Sequence, residues 1–187
     1  MFDDRDRGVV LVHGGRFTKG DWAKQARALV DAGFRVVAID LRGFGRSKEG
    51  PPTLKREATF LDVLAAARYL RSRGTRTVSV IGGSMGGDAA ADALGAATAG
   101  EIDRVVLLAH GAYGAPEKLV GRKLFVVTRE DANAAGPRLP RIQAQYDKAP
   151  EPKELIILDG SAHAQFIFES NQGERLMREI LRFLSAP

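Results

Sequence analysis

The stretch Gly82-Gly83-Ser84-Met85-Gly86-Gly87 carries the spacing G-x-S-x-G, centred on Ser84. A serine hydroxyl is a weak nucleophile until a neighbouring base takes its proton. A sharp strand-to-helix turn presents such a hydroxyl outward, and flanking glycines let the backbone turn and pack where a Cβ would collide. In a chain with 21 glycines the spacing alone is a weak signal. Its context strengthens it: TVSVI before the turn reads as a buried strand, and Ser84–Ala97 after it as an Ala-rich helix. The chemistry implied is acyl transfer, in which the serine attacks a carbonyl carbon and an oxyanion forms before an acyl-enzyme. The bland alternative is a glycine-rich turn with an incidental serine. A phosphate-binding loop is disfavoured because neither G-x-x-x-x-G-K-[ST] nor G-x-G-x-x-G occurs.

A serine nucleophile needs a base, an acid and donors for the oxyanion. The chain has 3 histidines, His13, His110 and His163, each just after a strand candidate. His163 comes last, which allows the chain order serine, acid, histidine and makes it the preferred base. His13 opens a His-Gly-Gly turn and suits a loop-fixing role, and His110 suits a hydrogen-bonded packing role. The acid belongs after the fifth strand candidate, where Glu130 and Asp131 are adjacent. Asp131 lies further out in the loop and is preferred, with Glu130 and Asp159 as alternatives. Asp88 and Asp92 follow Ser84 on its helix and read as solvated surface. One oxyanion donor is expected from the backbone of Met85, the residue after the serine. The second is expected from the turn after the first strand candidate, at Gly15 first, with Arg16 and Phe17 as alternatives.

These residues must be carried by elements that bring strand ends together. Short, nearly continuous apolar runs lie at Val9–Val12, Phe34–Ile39, Thr77–Ile81, Arg104–Ala109, Lys123–Thr128 and Glu154–Leu158. Such runs are what buried parallel strands require. Helix-period segments alternate with them at Asp21–Ala32, Leu54–Arg73, Ser84–Ala97, Pro137–Tyr146 and Gly173–Leu184. The alternation predicts an α/β fold with a mostly parallel six-stranded sheet flanked by helices. Ligand chemistry in such a sheet gathers at the carboxyl ends of the strands. No repeat or linker interrupts the 187 residues, so one domain over 1–187 is expected.

Composition removes other classes. With no cysteine, thiolate chemistry, disulfide scaffolds and cysteine metal sites are excluded, and the few histidines argue against a His-rich metal centre. The net charge of +5 is spread along the chain, and its densest stretch, RYLRSRGTR, sits at a helix end. No aromatic–basic interleaving accompanies it, so no nucleic-acid partner is expected. No apolar run reaches the ~20 residues of a membrane span, and MFDDRDRG does not read as a signal peptide. A cytoplasmic enzyme or binding domain is the expectation.

The segments VVLVHGG, AIDLRGFGRS, IGGSMGG and LDGSAHAQF together resemble the signature segments of the α/β-hydrolase superfamily, in its usual order. The HGGRF turn with DLRGFGRSK resembles its small single-domain members, the interacting-factor-B-like and dienelactone-hydrolase-like proteins. The resemblance implies Ser84 as nucleophile, Asp131 as acid, His163 as base, and Gly15 with Met85 as oxyanion donors. The chain departs from that pattern in three ways. The superfamily's first two strands have no counterpart, EDANAAGP lacks the usual hydrophobic–proline pair after the acid, and the cysteine nucleophile of dienelactone hydrolases is absent. Serine at the elbow also argues against haloalkane dehalogenases and epoxide hydrolases, which carry aspartate there.

The implied function is cofactor-free hydrolysis of small-molecule esters with small or short acyl groups. Thioesters and amides remain alternatives, as does a non-catalytic hydrolase-fold binding protein. Only about a dozen residues separate His110 from Lys123, so no substantial lid is expected. A histidine base acts only when neutral. Activity should therefore fall as the medium is acidified through the range where free imidazoles protonate, about pH 6.5. The check is a pH–rate profile, and a flat profile down to about pH 4 would contradict a histidine base.

Overall fold

A computed structural model of the chain describes residues 6–50, 56–110 and 115–186. The strands are β1 (Arg7–Val12), β2 (Arg35–Ile39), β3 (Thr77–Gly83), β4 (Arg104–Leu108), β5 (Arg122–Thr128) and β6 (Lys153–Leu158). The helices are α1 (Ala23–Asp31), α2 (Phe60–Ser72), α3 (Met85–Ala96), α4 (Leu139–Lys148) and α5 (Gly173–Ser185). The sheet has six strands in the order β2-β1-β3-β4-β5-β6, and every neighbouring pair is parallel. The α/β fold read from the sequence is therefore the one observed.

Successive strand residues point to opposite faces, so continuous apolar runs bury both. Val10, Val12, Val78, Val80, Val105, Leu107, Phe125 and Val127 join the core under α2, α3 and α4. Val9, Leu11, Ile81, Val106, Leu108, Leu124 and Val126 join the opposite core, with α1 and α5. Leu29 of α1 and Leu176, Ile180 and Phe183 of α5 close that second layer. Among the described residues no helix is long and apolar enough to cross a membrane.

The strand order places the site. The chain runs from β1 outward to β2, then returns across β1 to β3 and continues in the opposite direction. A constant crossover hand puts α1 and α2 on opposite faces, and the loops leaving β1 and β3 part company at their carboxyl ends. That crevice lies where HGGRF and the Ser84 turn emerge.

Several boundaries differ from the sequence expectation. The helix expected from Leu54 begins at Phe60, after a 3-10 turn at Arg56–Thr59 whose Ala58 (φ −79, ψ 26) breaks the helical ladder. Residues 54–55 lie outside the described residues. The helix expected from Pro137 begins at Leu139, because Gly136–Pro137 pairs antiparallel with Ala132–Asn133 in a short ribbon. Ser84 caps α3 rather than joining it.

The first turn of α3 packs directly against the backbone at the end of β1. A Cβ on Gly86 would lie 2.4 Å from the Val12 carbonyl oxygen and 2.5 Å from that of His13. A Cβ on Gly82 would lie 2.2 Å from the Gly86 carbonyl oxygen. Gly86→Ala should thus lower unfolding free energy by about 2–3 kcal/mol, measured by urea or thermal denaturation. At exposed Gly20, a new Cβ would meet nothing nearer than the Thr18 hydroxyl at 3.6 Å, and Gly20→Ala should change stability by less than about 0.5 kcal/mol.

Candidate active site

The nucleophile candidate sits where the sheet forces a sharp turn. β3 ends at Gly83, and the Ser84 amide still donates to the Leu108 carbonyl of β4 at 2.8 Å. Ser84 then takes φ 51 and ψ −117, and α3 begins at the next residue. This is the left-handed region that side chains avoid, so the turn holds only because its surroundings over-determine it. Gly82 and Gly86, the glycines of G-x-S-x-G, allow the strand end and the helix start to touch. The Met85 amide is the first of α3, with no carbonyl one turn back to accept it. It lies at the positive end of the helix dipole.

The loop after β1, where the second oxyanion donor is expected, is tied down by His13, which is fully buried. Its Nδ1–H donates to the Gly14 carbonyl at 2.8 Å, and its Nε2 accepts the Leu41 amide at 3.1 Å. These partners set the tautomer and join the loop after β1 to the loop after β2. The Phe17 amide donates to the same Gly14 carbonyl at 3.1 Å, so Phe17 is engaged within the turn. The Gly14 amide donates to Gln165 Oε1 at 2.7 Å. Among the described residues no acceptor is seen for the amides of Gly15 and Arg16, both exposed. Gly15 also lies next to Met85, since a Cβ on it would stand 3.8 Å from the Met85 sulfur.

The base and acid candidates arrive on two loops laced together. The Thr128 hydroxyl donates to the Ala162 carbonyl at 2.9 Å, and the Glu130 amide to the Gly160 carbonyl at 3.0 Å. His163 Nε2 lies 2.9 Å from Ser84 Oγ, and its Nδ1 lies 2.7 Å from Asp131 Oδ2. In this geometry Nδ1–H donates to the carboxylate, which leaves Nε2 to accept the serine proton. Asp131 turns inward because its amide bonds back to the Thr128 carbonyl at 3.2 Å, and its side chain is 2% exposed. Glu130 is exposed, and Asp159 faces Arg129 across 3.9 Å of solvent-exposed surface. The structure therefore brings Ser84, His163 and Asp131 into one hydrogen-bonded line and leaves Glu130 and Asp159 outside it. Such a line can draw a proton from a serine hydroxyl and stabilise the imidazolium that results.

The family model described as "alpha/beta hydrolase fold" matches residues 8–178. The chain belongs to the α/β-hydrolase family. The resemblance read from its four sequence segments is thereby borne out. A non-heme haloperoxidase of Rhodococcus erythropolis is 32% identical over 102 residues, covering 54% of this chain and 36% of that protein. An esterase of Pyrococcus furiosus superposes with a TM-score of 0.79 at 19% identity, over 97% of this chain and 84% of the other. A protein described as a predicted CIB-like hydrolase of Thermoplasma acidophilum gives a TM-score of 0.76 at 24% identity, over 98% and 88%. Both likenesses are of fold. The chain spans well under half the length of the first two curated relatives it matches, 36% and 38%.

Around this α/β-hydrolase site the structure reveals charges that sequence reasoning missed. Arg138, at the start of α4, stands with Nε 3.4 Å from Asp131 Oδ1, near enough for charge pairing though not aligned as a hydrogen bond. Its amide donates to the Asp131 carbonyl at 2.8 Å. No local pattern announces it, because only the ribbon folds Arg138 back onto Asp131. Asp40 is buried after β2 and accepts from the Lys19 ammonium and amide, each at 2.8 Å, and from the Arg46 amide at 3.1 Å. Burial pushes its carboxyl up, but these bonds outweigh it and hold it at about 2. Gly45 (φ +53) is required beside it, since a Cβ there would lie 2.4 Å from the Asp40 carboxyl carbon.

His110 follows β4 and is 1% exposed, packed against Gly87 of α3. Its Nε2–H donates to Gln145 Oε1 at 2.9 Å, and its buried Nδ1 has no partner among the described residues. Burial holds its pKa down at about 4, helped by the nearby Arg138 charge and only partly opposed by the Gln145 bond. Between pH 4 and 6.5 the unfolded chain binds the proton and the native chain does not. His110 thus favours the native state fully above about pH 6.5, and that contribution is lost on acidification toward pH 4. The loss is on the order of 3 kcal/mol. His110→Gln should flatten the fall in denaturation midpoint across this window, and a slope equal to wild type would rule the group out.

Proposed function

We propose that the chain is a serine hydrolase that cleaves small or short-acyl carboxylic esters. Ser84 is the nucleophile, His163 the base and Asp131 the acid, with the amides of Gly15 and Met85 receiving the oxyanion. The carrying observation is the unbroken line Ser84 Oγ–His163 Nε2, 2.9 Å, and His163 Nδ1–Asp131 Oδ2, 2.7 Å.

Ser84 Oγ attacks the ester carbonyl carbon while its proton passes to His163 Nε2. The negative charge that develops on the carbonyl oxygen is received by backbone N–H groups fixed before the reaction begins, where no reorganisation is needed. The bond to the leaving oxygen then breaks as His163 returns the proton to it, and the alcohol departs from an acyl-Ser84. Water adds to the acyl carbon, losing its proton to His163, and collapse releases the carboxylic acid and restores the serine. Asp131 holds the imidazole in its tautomer and stabilises the imidazolium by its hydrogen bond to Nδ1–H.

The substrate class follows from what surrounds this line. Among the described residues the connection from β4 to β5 holds only the 3-10 turn Pro116–Lys118, and no helical cap. The loops bearing Gly15 and His163 also carry Phe17 and Phe166, whose rings meet at 4.8 Å. Phe166 is 36% exposed, so the pair offers a short apolar wall rather than an enclosed acyl tunnel. Phe17 and Gln165 also border a cavity of about 520 Å³ with Asp21, Lys24, Phe168 and Glu169. That cavity is not lined by Ser84 or His163, so it is a neighbouring space and not the seat of the reacting carbon. Open, shallow sites favour small groups because little surface is available for burial.

Ser84→Ala should lower kcat on p-nitrophenyl acetate or butyrate by about 10³-fold or more, and acetate and butyrate should be preferred over long-chain esters. Equal rates for wild type and Ser84→Ala would favour a non-catalytic binding protein. A Ser84-dependent preference for thioesters or amides would move the reading to those acyl groups.

A further inference from the structure

We propose that Gln165 is a positioning residue for the oxyanion loop, an inference that rests on the serine-hydrolase reading of Ser84 and His163. Gln165 stands two residues beyond His163, in the 3-10 helix Ala164–Glu169 that follows β6. Between them Ala164 is buried and holds φ 50. This left-handed residue bends the chain so that His163 reaches Ser84 while Gln165 reaches the opposite loop. Its Oε1 accepts the Gly14 amide at 2.7 Å, and the residue is 5% exposed. The side chain lies along the residue that precedes the nucleophile, since a Cβ on Gly83 would stand 3.3 Å from Gln165 Cγ.

Planarity gives this bond its consequence. A trans peptide points its N–H opposite to its C=O, so whatever holds a carbonyl also aims the following amide. The Gly14 carbonyl is held by His13 Nδ1–H at 2.8 Å and by the Phe17 amide at 3.1 Å, and this fixes the plane containing the Gly15 N–H. Gln165 holds the preceding plane through the Gly14 N–H. Two consecutive planes are thereby pinned, one from within the loop and one from the loop that carries the base. Without Gln165 the Gly14 amide would be a buried donor with no partner, free to satisfy itself by rotating the segment that aims Gly15. The glutamine thus ties the base loop and the oxyanion loop into one unit. An uncharged acceptor suits the place, because a carboxylate would set negative charge beside a developing oxyanion.

The test uses the whole chain and Gln165→Met, which keeps length and packing but removes the acceptor. On p-nitrophenyl acetate its kcat should fall about 10- to 100-fold, short of losing a donor outright, with KM within about threefold of wild type. Hydrogen exchange at the Gly14 amide should become about tenfold faster while cooperative unfolding is retained. Gln165→Glu restores an acceptor and should return Gly14 exchange to the wild-type rate, although its charge lowers kcat. Wild-type kcat in Gln165→Met, or Gly14 exchange as slow as in wild type, overturns the proposal. If Gln165→Met fails to fold, Gln165→Ala carries the same two measurements. Wild type lacking Ser84-dependent turnover overturns the serine-hydrolase reading instead, and the exchange measurement then still decides whether Gln165 holds Gly14.

Discussion

The close approach of α3 to the carboxyl end of β1 is the contact on which the site depends. Gly86 lies so near the Val12 and His13 carbonyls that any side chain there would have to displace backbone. The contact pulls the amino end of the helix beneath the loop that leaves β1, so that Met85 and Gly15 come to lie side by side. Two features of ordinary backbone then converge: the unsatisfied first amide of a helix and an open amide in a glycine-rich turn. No charged side chain is needed to create the corner proposed to receive the oxyanion. It follows from strand order, since β1 and β3 are neighbours whose following segments leave on different courses. Gly82 matters for the same reason, because it lets the strand end pass the carbonyl of Gly86.

A buried carboxylate is the second demand, and its surroundings show how the fold meets it. Removing a charge from water is costly unless partners replace the solvent. Asp131 has His163 on one oxygen and Arg138 near the other, and Arg138 is itself mostly buried, its side chain 15% exposed. The same guanidinium contributes to keeping His110 neutral across the physiological range. A charge that adds to the effect of burial on one histidine thus stands beside the carboxylate that holds another in place. His110 in turn packs on Gly87 of α3, so this electrostatic cluster touches the helix that presents Ser84.

Much of the fold is readable from local pattern, and the site is readable in proportion to how local its parts are. The six strands were legible because parallel strands buried on both faces leave continuous Val, Ile and Leu runs, with a glycine stop after α1 at Gly33 and after α2 at Gly74. Ser84 was legible because its glycines occupy neighbouring positions. Choosing between Glu130 and Asp131 was harder, because adjacent residues differ only in which way a turn points them. The bond from the Asp131 amide to the Thr128 carbonyl supplies that direction. Arg138 and Gln165 were not legible at all. Arg138 reaches Asp131 through a two-residue ribbon too short to show periodicity. Gln165 bonds to a residue 151 positions away, and a glutamine two places beyond a histidine carries no signal by itself.

Backbone strain follows the same geography. Among the described residues three non-glycines take left-handed φ values, Ser84 at 51, Ala109 at 46 and Ala164 at 50. Each departs from a favoured region at a cost of order 1–3 kcal/mol, and each sits at the carboxyl side of the sheet. Two of them continue the sheet ladder for one further bond, Ser84 to Leu108 and Ala109 to Val126, both at 2.8 Å. The ladder thus holds the residue's amide as an extension of the strand while its φ sends the chain elsewhere. Ala164 has no ladder to hold it and relies on burial, at 1% exposure within the core that includes Ile167 and Leu158. Had the strands ended in relaxed, extended residues, the following side chains would have continued along the strand axis and away from the crevice. The strain is what turns Ser84 outward and brings His163 and Gln165 back over it. The apolar layers on either side of the sheet must therefore supply stability that the strained carboxyl edge consumes.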